Sequence, residues 1–489
     1  MRTYLFYDIE TTGLNLCFDQ VIEFAAIRTD LSLNEIERHH YTVQLRPDVV
    51  VSPMATLTHR LAPTQLQSGL TEAQAIHRIH QLFNTPGTIS CGYNTLGFDD
   101  GVLRFAFYRH MLDPYSHQYA NGCGRADLYP ITILYYLYAN DGLKWPMTER
   151  GVSLKLERIN KENQLITDGQ AHHAMTDVEV TLALARLFFR RQKIWDYAMG
   201  YFNKSLDNER IERVRNLRNE QEDGAPRELG ISELMIAVLI HGKYGVKQRF
   251  QSVAVYLGRH KVYKNQGIWL RLDQSPIEPN QLAEDDALDH LIVRKKSAEP
   301  PMILPLDKAL STLSEAQIQC FEHNRPLLVS SVLDRLATIY CHWTYPDIES
   351  IDPDANLYQS HFLTDQERLE VTHFHQGTIS EKLACLTRFE GHRMHPFMLR
   401  YIWRFHPTEC PQEWVNDYKD YMARIWCLES TAQQIDYRGG KKRTVAMALD
   451  EMKQCQLLDL DDEQMKLMAQ LQQIYKEGIT AYGSIKDKD

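Results

Sequence analysis

The chain has 489 residues, more than one hydrophobic core usually organises, which excludes a single small module and predicts two or three domains. Hydrophobic residues at 44% and charged residues at 24% exclude a disordered or low-complexity chain. A formal charge of -10 argues, as a sum, against nucleic acid as the partner, because counterion release favours basic surfaces.

The N-terminal run Met1 to Asp8 has too short an apolar core for a signal peptide, and no later stretch approaches the roughly 18 apolar residues of a membrane span. Nine cysteines, an odd number, stand scattered without a C-x-x-C pair. They read as reduced thiols of a cytoplasmic protein, not as a disulfide frame or a zinc site.

From the start to about residue 195, strand-like runs (Tyr4 to Tyr7, Val21 to Arg28, Tyr41 to Leu45, Thr88 to Gly92) alternate with helical patterns at Thr71 to Phe83 and Gly101 to Met111, the signature of an α/β domain. Met175, Val178, Leu182, Ala185 and Phe189 recur at helical spacing, with Arg190 and Arg191 in the last turn. The charged stretch Asn203 to Arg227 reads as a connector, and a first boundary is placed at 197. Beyond it, Ser252 to Leu257 and Ile268 to Leu272 are short β-like runs beside Gly258 and Gly267, so residues 198–345 are expected to be mainly β. After the turn-rich segment Tyr345 to Asn356 the pattern is helical, with amphipathic stretches at Trp414 to Ser430 and Asp461 to Ala481, so residues 346–489 are expected to be all-α.

The charge is not spread evenly along the chain. From Gly242 to Arg271 there are seven Lys or Arg residues and no acid, interleaved with Tyr244, Phe250, Tyr256, Tyr263 and Trp269. Such a stretch suits a surface that tracks phosphates and stacks bases, though aromatics at alternating positions also fill β cores. Arg438 to Arg443 is a second basic cluster, with an exposed interhelical loop as the plainer reading.

Chemistry concentrates in three acidic elements of the first domain. Asp8 and Glu10 end a probable strand, where residues i and i+2 share a face, and a hard cation such as Mg²⁺ relieves the repulsion between two neighbouring carboxylates. A D-x-E tripeptide arises by chance roughly once in such a chain, and Asp347-Ile348-Glu349 is the same tripeptide without the strand. Asp99 and Asp100 follow a strand and turn, where taken alone they would cap a helix. Asp177 stands in the first turn of the periodic helix, preceded by His172 and His173.

Taken together, these elements resemble the DnaQ-like superfamily of 3'-to-5' exonucleases, in the subfamily named for four acids and a histidine. The motif D-x-E-T-T/F-G is matched by Asp8, Glu10, Thr11 and Gly13; N-x-x-x-F-D by Asn94, Phe98 and Asp99; and H-x-A-x-x-D by His172, Ala174 and Asp177. The chain is further similar to the bacterial exonuclease I family at Gly92-Tyr93-Asn94, Phe107-Tyr108-Arg109, Phe24-Ala25-Ala26-Ile27-Arg28 and Asp354-Ala355-Asn356-Leu357-Tyr358. The resemblance implies an RNase H-like α/β exonuclease domain (1–197), an SH3-like domain (198–345) and a helical domain (346–489) arranged as a clamp.

That resemblance also implies a function: stepwise 3'-to-5' hydrolysis of single-stranded DNA in repair and recombination. Asp8, Glu10, Asp99 and Asp177 would hold two Mg²⁺ ions, with Mn²⁺ as an alternative and Asp8 as the bridge, and His172 would be the base. His173 stands four residues before Asp177, where a related subfamily carries a tyrosine, so the two histidines compete for that role. The acidic tail of single-stranded DNA-binding protein is the implied partner, and one chain forming a clamp needs no second copy. Two alternatives stand beside this reading, an exoribonuclease of the same superfamily and a non-catalytic single-strand-binding scaffold.

Overall fold

Alternation along β1 (Thr3–Thr11) sets the architecture of the N-terminal region: Leu5, Tyr7 and Ile9 point to one face, Tyr4 and Phe6 to the other, and both faces are covered. The computed structural model describes residues 1–166, 173–216, 235–278, 280–281, 287–430 and 433–483. β2 (Val21–Thr29) is buried along its whole length, as a strand covered on both sides must be, and β3 (Glu35–Thr42) forms the sheet's polar edge. The chain continues through α1 (Pro53–His59), α2 (Pro63–Leu66), α3 (Glu72–Asn84), β4 (Thr88–Gly92), α4 (Asp99–Arg109), β5 (Gly124–Asp127) and α5 (Leu128–Tyr138). A small hairpin of β6 (Met147–Thr148) and β7 (Gly151–Val152) precedes α6 (Leu156–Asn163), α7 (Ala174–Phe189), α8 (Gln192–Met199) and α9 (Lys204–Asn216).

The sheet runs in the order β3-β2-β1-β4-β5, antiparallel from β3 to β1 and parallel from β1 to β5. Ile76, Ile79 and Phe83 of α3, with Val102, Leu103 and Ala106 of α4, cover the Leu5 face. Val178, Leu182 and Ala185 of α7 cover the opposite one. Since β1 and β4 are parallel, their carboxyl ends lie at one edge of the sheet, where sites of open α/β sheets form.

The middle region is a five-stranded antiparallel sheet in the order β11-β10-β9-β8-β12, from β8 (Ile236–Ile240), β9 (Gln251–Arg259), β10 (Gln266–Arg271), β11 (Ile292–Lys296) and β12 (Met302–Pro305). The helices α10 (Leu306–Ala309), α11 (Glu315–Asn324) and α12 (Ser330–His342) follow, and Phe321 and Tyr340 pack against Val253, Val255 and Ile268. Among the described residues, six α-helices follow: α13 (Asp365–Gln376), α14 (Ile379–Arg388), α15 (His395–Phe405), α16 (Gln412–Trp426), α17 (Val445–Cys455) and α18 (Asp462–Tyr482). Thr364, Thr378 and Asp461 close capping boxes on α13, α14 and α18. Among the described residues no helix is long and apolar enough to cross a membrane.

Two readings of charge are corrected. Within the expected connector, residues 204–216 are helix α9, and its Asp207 is fully buried against Lys295 Nζ at 2.6 Å, a partner no local pattern reveals. In the basic loop 438–443, Arg438 and Lys441 are exposed, but Lys442 is buried and donates to Asp48 of the N-terminal region at 3.2 Å. Asp48 also accepts from Tyr421 at 2.6 Å and Arg404 at 2.8 Å, so a buried polar network binds the last helices to the sheet's region, alongside Val50, Val51 and Leu57 in the shared apolar core. The strand predicted at Tyr41 to Leu45 overlaps β3 only at Tyr41 and Thr42; β3 lies mostly before that run, where the exposed residues of an edge strand supply no apolar pattern.

Candidate active site

Asp8 and Glu10 occupy even positions of β1 and so face α7, near the strand's carboxyl end. Asp177, in the first turn of α7, comes down on them: one carboxylate oxygen from each of Asp8, Glu10 and Asp177 lies within 4.8 Å of the others. Asp99 opens α4 and is buried, and it is the largest charged neighbour of Asp8. The structure thus brings three of the four acids singled out in the sequence, Asp8, Glu10 and Asp177, into one cluster, and the charge of buried Asp99 bears on Asp8. His172 lies outside the described residues.

The loops that deliver these side chains are held by short polar contacts. Thr11 donates its hydroxyl to the Gly13 carbonyl at 2.8 Å, and Thr12 donates to Asp19 at 2.8 Å. A Cβ on Gly13 would stand 2.7 Å from the Asp19 carboxylate, which is why glycine follows the acid pair there. A Cβ on Gly92 would come within 2.6 Å of the Tyr7 carbonyl, so the β4 end can lie against β1 only as glycine. Asn94 takes the left-handed conformation (φ 65°), and Asp127 accepts from the backbone N–H of Asn94 at 2.8 Å and of Leu96 at 3.1 Å. Asp127 also caps α5 through Tyr129 N–H at 2.9 Å. The sequence reading passed over Asp127; an acid before the apolar run Leu128 to Leu134 was its signal.

Burial pushes the carboxyls up, and their mutual repulsion adds to it. Asp8 is raised well above the ordinary range by burial, then by Asp99, Glu10 and Asp177. Burial, Asp177 and Glu23 carry Glu10 to about 9, and burial with Asp127 carries Asp99 to about 8, against opposing backbone N–H contacts. Crowded oxygen donors that resist ionising together are a donor set for a hard divalent cation, whose charge would remove the repulsion. The second acid of the Asp99-Asp100 pair does something else: Asp100 binds Arg125 at 2.7 Å, His117 at 3.3 Å and Arg104, and despite its burial these cations hold it well below the ordinary range.

Beside the cluster, Glu23 of β2 stands opposite Glu10 in the strand register. Its Oε1 meets Nε2 of His40 at 2.6 Å and Nε2 of His173 at 3.3 Å, while Oε2 accepts from Ala174 N–H at 3.1 Å. Burial alone would raise Glu23, but the His40 hydrogen bond, the Ala174 N–H and His173 hold it below its usual value. His173 thus sits at the start of α7, tied to Glu23. Neither histidine's contact with Glu23 was foreseen.

The interleaved basic and aromatic stretch resolves differently from its sequence appearance. Tyr244, Phe250 and Trp269 are buried in apolar clusters and have no face to offer a base. Arg271 is also buried, bonded to Ser252 at 2.8 Å and Gln248 at 2.5 Å, whereas Lys247, Arg249, Arg259, Lys261 and Lys264 are exposed. Lys247, Arg249, Lys261 and Lys264 lie outside the strands, in the connections before β9 and between β9 and β10, where their side chains reach solvent.

A family model for exonucleases matches residues 5–185, the span that holds all four acids. The exodeoxyribonuclease I of Escherichia coli is 37% identical over 206 residues, covering 41% of this chain and 43% of that protein. The Haemophilus influenzae exodeoxyribonuclease I is 33% identical over 199 residues, 40% of this chain and 42% of its own length. These sequence matches therefore span less than half of the relatives. In three dimensions the likeness extends further. The exonuclease I of Methylocaldum szegediense aligns with a TM-score of 0.76 at 25% identity, over 98% of this chain and all of the other. E. coli exonuclease I in complex with a dA16 oligonucleotide aligns with a TM-score of 0.77 at 23% identity and the same coverage, a likeness of fold.

Proposed function

We propose that this chain is a member of the exodeoxyribonuclease I family and that it degrades single-stranded DNA from the 3' end, releasing 5'-mononucleotides by metal-dependent hydrolysis in DNA repair and recombination. The observation that carries the reading is the meeting of Asp8, Glu10 and Asp177 oxygens within 4.8 Å, with the charge of buried Asp99 acting on Asp8. Asp8, Glu10, Asp99 and Asp177 would hold two Mg²⁺ ions, or Mn²⁺ in their place, because every donor is a carboxylate oxygen. Bound there, the divalent ions supply Lewis-acid activation of water and charge stabilisation at the leaving 3'-oxygen.

The chain's own groups do the rest. β1 and α7 fix the spacing of Asp8, Glu10 and Asp177, which would hold the metal, and Asp127 holds the loop that delivers Asp99. His172 would take the proton from the attacking water, since an imidazole with a reference pKa of about 6.5 suits a base at neutral pH. Five exposed cations at Lys247, Arg249, Arg259, Lys261 and Lys264 are available to the phosphates of a strand leaving the site. The division into 1–197, 198–345 and 346–489 is the frame in which one chain, acting as a monomer in the cytoplasm, would enclose a strand, with the acidic tail of single-stranded DNA-binding protein as partner.

The test pairs 5'-labelled single-stranded DNA with RNA of the same sequence, in Mg²⁺, with Asp8→Ala as control. A ladder of shortened DNA, absent in the control, is expected. Preferential loss of RNA would move the activity to an exoribonuclease, and two intact substrates would leave a binding scaffold.

A further inference from the structure

The catalytic reading uses four carboxylates and one histidine, and leaves the Glu23, His40 and His173 cluster without a task. One ligand atom from each of these three residues lies within 4.8 Å of the others, a span that a small rotation of two half-exposed rings closes onto an ion. Both imidazoles direct Nε2 at the same carboxylate oxygen, at 2.6 and 3.3 Å. Glu23 itself is buried and fixed by Ala174 N–H at 3.1 Å, so its oxygen is already oriented, while the rings, about 40% exposed, leave a path for an ion.

We propose that Glu23, His40 and His173 form a second metal site, selective for a borderline transition-metal ion such as Zn²⁺, beside the all-carboxylate cluster. Two imidazoles and one carboxylate make a donor set that favours Zn²⁺ or Co²⁺ and leaves a coordination position for water. The all-oxygen cluster favours Mg²⁺. Two sites of different softness thus lie one strand apart, Glu23 standing opposite Glu10 in the β1–β2 register.

Occupancy has a consequence for the proposed reaction. His173 precedes the first residue of α7, the helix that carries Asp177, and follows His172 in the chain. An ion bound to His173 restrains the backbone next to the proposed base, so Zn²⁺ at this site inhibits Mg²⁺-supported cleavage. This inhibitory effect, unlike the binding itself, rests on the reading of His172 as base.

The test is a Co²⁺ titration of the full chain in saturating Mg²⁺, read by the visible ligand-field bands that imidazole coordination produces. One equivalent is expected to bind, its affinity reduced by ~10-fold or more in His40→Ala and in His173→Ala and unchanged in Asp8→Ala. His40→Gln, with a melting curve for each variant, separates loss of the ligand from loss of the fold. In the activity arm, His40→Ala should keep the Mg²⁺-supported rate and need ~10-fold more Zn²⁺ for half-inhibition. Bands that survive both His40 variants, or that vanish with Asp8→Ala alone, would place the ion in the carboxylate cluster and overturn the proposal. Because the titration does not depend on cleavage, an inactive protein would still report on the site.

Discussion

Asp8-Ile9-Glu10 and Asp347-Ile348-Glu349 are the same three residues in two surroundings. The first lies on a strand covered on both faces, where the pleat sends both acids toward Asp177 and burial raises their affinity for protons. In the second, Asp347 and Glu349 are exposed, in the segment between α12 and α13, free to be solvated apart. An acid pair becomes a metal-binding unit when a rigid element prevents its charges from separating and a third acid arrives from elsewhere in the chain. Composition is silent on both conditions.

The contrast can be broken most severely at the first tripeptide. Asp8→Ala or Asp177→Ala should cost several kcal/mol of transition-state stabilisation, more than ~10³-fold in rate, with single-strand affinity retained by fluorescence anisotropy. Substantial residual cleavage in either variant would remove that residue from the ligand set. His172→Ala should cost on the order of 10² to 10⁴ in rate, and His173→Ala clearly less in metal-purified buffer. The reverse order would exchange their roles.

A third expectation concerns pH in the chelated protein. Glu10 and Asp99 keep their protons up to about 9 and about 8 in the folded chain, whereas unfolded carboxyls release them near ~4. The folded state therefore binds more protons in between, and stability must fall as pH rises through that window. Mg²⁺ should accordingly raise the melting temperature more at about pH 9 than at about pH 5; an equal gain at both would mean that the carboxyls are not crowded as described. The smallest effect is expected at the second tripeptide, where Asp347→Ala and Glu349→Ala should leave both cleavage and stability unchanged within ~0.5 kcal/mol.

Much of the N-terminal architecture was legible because its signals are local. The apolar run Tyr4 to Tyr7 of β1, the five residues of β4 and the 3.6-period face of α7 each declare an element by itself. The four acids were legible for a related reason, since each sits at an end of one of those elements. What stayed hidden has partners far away in sequence. Asp207 in a charged stretch gives no sign of Lys295, and Lys442 in a basic loop gives none of Asp48. Tyr244, Phe250 and Trp269 show the spacing of a binding surface and of a core alike, and only the packed sheet separates the two.

The sequence by itself determined the order of the elements, the identity of the acids and their placement on a strand and two helix starts, because hydrophobic periodicity and turn chemistry act over a few residues. Tertiary structure alone decided that Asp8, Glu10 and Asp177 converge, that Asp100 is neutralised by Arg104 and Arg125 while the charge of Asp99 beside it bears on Asp8, and that Glu23 meets two histidines from different elements. Those outcomes depend on burial and on distances between residues remote in the chain, quantities that exist only once the sheet is assembled.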